Sequence, residues 1–104
     1  MKLQLASYLF DDALRKGWDY MELLTFVFND EGNETLYHQL YSHIKEEIET
    51  KRMKYNDKLP SKRKLANHLG ISQNTIETAY GQLIQEGYIT SIERKGYFVA
   101  KIDN

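Results

Sequence analysis

Cysteine is absent from this 104-residue chain and proline occurs once. No apolar run approaches the ~18 residues that a membrane-crossing helix needs. The missing thiols exclude disulfide staples, thiolate zinc sites and a cysteine nucleophile, and they fit a reducing compartment, so a cytoplasmic location is expected. With 41% hydrophobic and 28% charged residues the composition is that of a folded domain, not a disordered tail. The length suits one small domain with its own core. The apolar start, Met1 to Phe10, is broken by Gln4 and Ser7 and runs into Asp11-Asp12, so no export signal is read there.

Net charge is also nearly lacking, at -1, but position matters more than the sum. Residues 1 to 50 carry 4 basic and 10 acidic side chains, and residues 51 to 104 carry 10 basic and 5 acidic. Seven cations (Lys51, Arg52, Lys54, Lys58, Lys62, Arg63, Lys64) stand against Asp57 alone between positions 51 and 64. Such a run attracts phosphate, although charge by itself favours a solvated linker and helix start.

Three candidate helices follow one another from residue 35 onward. Leu36, Tyr37, Leu40, Tyr41, Ile44 and Ile48 mark one helical face over 35 to 52, with Thr35 placed as N-cap. Pro60 interrupts the basic connection, and Ser61 caps a short helix whose buried side is Leu65, Ala66 and Leu69, closed by Gly70. Ser72 opens a third helix, about 72 to 86, with an apolar face of Ile76, Ala79, Tyr80, Leu83 and Ile84 and Gly87 at its end. Two strand-like runs, 88 to 92 and 97 to 100, flank Glu93-Arg94-Lys95-Gly96 as a hairpin.

The first 35 residues form an N-terminal extension. Its Leu5, Ala6, Leu9, Phe10, Ala13 and Leu14 predict an amphipathic helix over 2 to 16, buried against the rest of the domain or against a second copy of the chain. Residues 23 to 28 fit a strand before the turn cluster 29 to 33. Residues 101 to 104 are a short tail.

Nothing converges as a catalytic site. Asp11-Asp12 and Glu46-Glu47 are sequence neighbours that point to different sides of a helix. His38 and His43 are five apart and His68 is distant, so no metal site is expected.

Two short helices joined through a glycine turn make a helix-turn-helix, whose second helix fits the major groove of duplex DNA. Its solvent side carries Ser72, Gln73, Asn74, Thr75, Glu77 and Thr78. Asn and Gln amides pair bidentately with adenine, and a helix start favours phosphate. Glu77 admits three readings: acceptance from cytosine N4, repulsion of phosphate, or simple solvation. A hairpin with Arg94 and Lys95 at its tip completes a wing over 88 to 100, able to touch backbone or minor groove. The expected architecture is mainly α with a small β-hairpin: a winged helix-turn-helix over 36 to 100, three helices plus a wing, behind an N-terminal helical extension. A winged helix that binds protein instead of DNA is the alternative.

The order and spacing of several motifs resemble the winged helix of the GntR family of bacterial transcription factors. They are Leu36-Tyr37-x-Gln39-Leu40-Tyr41, Leu59-Pro60-Ser61-x-Arg63-x-Leu65-Ala66, Leu69-Gly70-Ile71-Ser72-x-Asn74-Thr75-Ile76, Glu86-Gly87-Tyr88-Ile89 and Gly96-Tyr97-Phe98-Val99. Ser72-x-Asn74-Thr75 with Ala79-Tyr80-x-Gln82-Leu83 is most similar to the MocR-type branch, although a short YtrA-like protein is the other option. The resemblance implies DNA contacts from Ser61, Lys62 and Arg63, from Ser72, Gln73, Asn74 and Thr75, and from Arg94, Lys95 and Gly96 of the wing. It implies double-stranded DNA as partner, a homodimer, and no membrane. No cofactor is expected in this chain; pyridoxal phosphate, which MocR-type proteins bind, would belong to a large aminotransferase-like C-terminal domain that is absent here, as in an excised domain. Gln73 stands where the family often has arginine, so family base preferences do not transfer.

Overall fold

The computed structural model describes Leu24 and residues 35 to 102. Three helices and three short strands run in the order α1 (Leu36–Glu49), β1 (Lys58–Leu59), α2 (Lys62–Leu69), α3 (Gln73–Gln85), β2 (Ile89–Ile92) and β3 (Gly96–Val99). Each helix starts on a hydroxyl cap. The side chains of Thr35, Ser61 and Ser72 accept from the backbone N–H of His38, Lys64 and Thr75, each from an extended backbone conformation. These bonds satisfy donors that a helix start leaves open. Gly70 closes α2 in the left-handed conformation, at φ 70°, which a side chain would oppose.

α1 ends at Glu49, three residues before the expected Arg52. Thr50 terminates it, its N–H and hydroxyl both donating to the Glu46 carbonyl, and Lys51 then turns left-handed at φ 65°. The chain doubles back, the Met53 N–H donates to the Glu47 carbonyl at 2.9 Å, and the Met53 side chain enters the core.

The sheet order is β1-β3-β2, antiparallel throughout. The expected hairpin is present, with Ile89 opposite Val99 and Ile92 opposite Gly96. β1 was not expected. It is two residues of the basic connection, Lys58 opposite Phe98 and Leu59 opposite Tyr97, too short for any alternation to register in the sequence.

α1 and α2 both pack on α3, and the sheet covers one end of it. One core joins Leu40, Ile44 and Ile48 of α1, Leu65 and Ala66 of α2, and Ile76, Ala79, Tyr80 and Leu83 of α3 to Leu59, Ile89 and Val99 of the sheet. Three residues expected on apolar faces stay outside it: Ile84 is 39% exposed, Leu36 38%, and Tyr37 is half-buried without joining the cluster. The expected helix over 2 to 16 lies outside the described residues. Of the expected strand over 23 to 28, Leu24 alone is described, as a fully buried turn residue within the core. Among the described residues no helix is long and apolar enough to cross a membrane.

Candidate nucleic-acid interface

The first turn of α2 concentrates positive charge. Lys62, Arg63 and Lys64 occupy it with no acidic residue among them. Cations at the positive end of a helix are disfavoured by its dipole, and an external anion relieves the conflict. Ser61 accepts from the Lys64 N–H at 3.1 Å, so its oxygen is committed to the cap. Arg63 and Lys64 are exposed.

Lys62 behaves differently from its neighbours. Its Nζ lies 3.3 Å from Glu77 Oε1 on α3, and the bond to Glu77 is the chief reason that its ammonium pKa is raised, with Tyr97 of β3 also contributing. The first residue of α2 therefore touches the exposed side of α3 and neighbours the wing strand. Arg52 is likewise engaged: its Nε donates to buried Glu47 at 2.7 Å. The seven-cation run is thus not one free patch, because two of its members answer carboxylates within the fold.

On α3 the expected contact residues separate into two pairs. Ser72 and Thr75 face each other, the Ser72 oxygen accepting the Thr75 N–H at 3.2 Å and lying 2.9 Å from its hydroxyl. Gln73 and Asn74 are exposed on the first turn, and the Thr78 hydroxyl donates to the Asn74 carbonyl at 2.9 Å. Exposed amides at this point have the donor and acceptor pattern that matches base edges.

At the wing tip Arg94 and Lys95 are exposed, and the Lys95 N–H donates to the Ile92 carbonyl at 3.0 Å. The turn places Arg94 itself in the left-handed region at φ 66°, followed by Gly96 at φ 122°. A Cβ on Gly96 would meet Lys58 Cε at 3.1 Å, so the Lys58 stem crosses the wing there. Lys58 was counted in the sequence as a cation but given no site role. Only its pairing in β1 brings it to the wing.

One aromatic contact links these parts. The ring of Tyr80 on α3 meets that of Tyr97 on β3 edge-on at 4.9 Å, and the Tyr80 hydroxyl donates to the Pro60 carbonyl ahead of α2 at 2.8 Å.

Residues 36–99 match the gntR family of bacterial regulatory proteins. The chain belongs to the GntR family. Among GntR-type relatives, an uncharacterized HTH-type transcriptional regulator, YdeL of Bacillus subtilis, is 56% identical over 63 residues, which is 61% of this chain and 14% of that protein. The probable rhizopine catabolism regulatory protein MocR of Rhizobium meliloti is 34% identical over 73% of this chain and 15% of its own length. The chain thus spans about a seventh of the length of these relatives. The MocR-type branch is represented, at lower identity than YdeL. The solved structure of AraR(DBD) in complex with operator ORE1 superposes with a TM-score of 0.63 at 28% identity, covering 75% of this chain and 95% of that one. The winged helix of the GntR family is the fold described above.

The GntR domain is also tied together at the far end of α3, where sequence reasoning saw no site. The Tyr41 hydroxyl of α1 donates to Glu86, and this bond holds the Glu86 carboxyl below its ordinary range. Lys45 Nζ lies 5.6 Å from the Tyr41 ring and 5.5 Å from that of Tyr88, whose hydroxyl donates to Glu49 at 3.0 Å. The cluster joins α1 to the end of α3 and the approach to β2.

Proposed function

We propose that residues 36 to 100 bind duplex DNA sequence-specifically as the reading head of a transcriptional regulator. α3 enters the major groove, while the first turn of α2 and the wing hold phosphates. The observation that carries this is the pairing of exposed Gln73 and Asn74 on the first turn of α3 with the acid-free cationic start of α2. Amides read base edges, whereas cations position the protein on the backbone. The fold shared with AraR(DBD), which was solved in complex with its operator, supports DNA as the partner of this chain.

In this reading Arg63, Lys64, Arg94, Lys95 and Lys58 meet phosphate, and Gln73 and Asn74 meet bases. Ser61, Ser72 and Thr75 shape the helix starts that present them, and Gly96 lets the wing strand pass under Lys58. The domain works in the cytoplasm as a homodimer on paired half-sites and carries out no catalysis. In this reading pyridoxal phosphate belongs to a further domain of a longer regulator, not to residues 36 to 100.

The test is a salt titration of binding to labelled duplexes, joined to selection of bound sequences from a random pool. Log affinity should fall with log salt by about 0.9 per neutralised phosphate, and the pool should converge on a motif. Absence of salt-dependent binding to any duplex would reject the reading in favour of a protein-binding winged helix.

A further inference from the structure

Glu77 is a carboxylate on the side of α3 that the DNA reading turns toward the groove. It lies one helical turn beyond Gln73, on the same strip of the helix, and its side chain is 64% exposed. An acid in that position opposes phosphate, yet its partner is a cation of the very cluster that should bind phosphate. Lys62 is only 32% exposed, lies 3.3 Å from Glu77 and neighbours Tyr97. Arg63 and Lys64 are exposed beside it.

Resting on the DNA-binding reading, we propose that Glu77 withholds Lys62 from the DNA backbone and so lowers sequence-independent binding and its salt dependence. Non-specific affinity comes almost wholly from neutralised phosphates, whereas a specific complex also has base contacts from α3. Removing one cation from the phosphate count therefore lowers the affinity of the non-specific complex and the number of counterions it releases. The ion pair is exposed and contributes little to stability, so both partners can be replaced without unfolding the domain.

The experiment compares the full chain with Glu77→Gln, Lys62→Ala and the double variant, on an unselected duplex across a salt series. Glu77→Gln should steepen the plot of log affinity against log salt by about 0.9, an extra loss of roughly 3.5-fold between 50 and 200 mM. Lys62→Ala alone should leave the slope unchanged, and in the double variant it should cancel the gain. A gain that persists in the double variant would overturn the proposal, since Glu77 would then act only by repelling phosphate. So would a Lys62→Ala variant whose slope is already about 0.9 shallower, or a Glu77→Gln effect confined to base preference. Absence of salt-dependent binding by the parent chain is a separate result, and it withdraws the DNA reading together with this one.

Discussion

The Tyr80 hydroxyl donates to the Pro60 carbonyl oxygen across 2.8 Å inside the core, fixing α3 to the loop that launches α2. Twenty residues separate the two in sequence. Burial pushes the Tyr80 phenol well above its ordinary pKa, so it remains a donor throughout the neutral range. The relative placement of α2 and α3, on which a helix-turn-helix depends, thus rests on this bond as well as on apolar packing.

Tyr80→Phe keeps the ring against Tyr97 but leaves a buried carbonyl without its donor. A loss of about 1–3 kcal/mol is expected in urea unfolding. An unchanged midpoint would show that the bond adds nothing to the packing.

Arg63→Ala and Asn74→Ala should separate the two kinds of contact. Arg63 is exposed in the cationic turn, so its loss should weaken every duplex and make the salt slope about 0.9 shallower. Asn74→Ala should cost about 1–3 kcal/mol at one base pair, with little change in slope. Selection from a random pool reads both, and an unaltered selected motif for Asn74→Ala would remove its reading role.

Gly96→Ala tests the wing. The new Cβ would face Lys58 Cε at 3.1 Å from a backbone at φ 122°, where side chains are strained. The lysine stem can shift, but the backbone strain remains, at about 1–3 kcal/mol. Thermal unfolding measures that cost, and wild-type stability would mean that the turn relaxes without loss.

Glu47 gives a pH dependence. It is 4% exposed, and burial raises its pKa above the ordinary carboxylate range, opposed by Arg52 and His43. The native state therefore holds this proton more tightly than the unfolded chain. Between the unfolded and folded pKa values it binds more protons, so the stability contributed here is greatest below that window and declines as pH rises through it. The stability of the parent relative to Glu47→Gln should fall as pH rises above the ordinary carboxylate range. A relative stability that rises with pH there would contradict the assigned shift.

Much of the local structure at the candidate interface was legible in the sequence. The caps at Thr35, Ser61 and Ser72, the left-handed Gly70 and the exposed amides of Gln73 and Asn74 all follow from rules that act within one or two helical turns. The same rules misjudged the end of α1, because Arg52 lies in the doubling back that seats Met53, not in the helix.

The sequence alone therefore determined the order of helices, their starts and the polar face of α3, since periodicity and capping are local. Only the tertiary structure decided which cations are available. It set Arg52 on Glu47 and Lys62 on Glu77, brought Lys58 to the wing through a two-residue strand, and locked Tyr80 onto Pro60. A charge counted along the chain carries no partner. Its partner is whatever the folded backbone places within about 4 Å, and those pairings are set by packing across the domain.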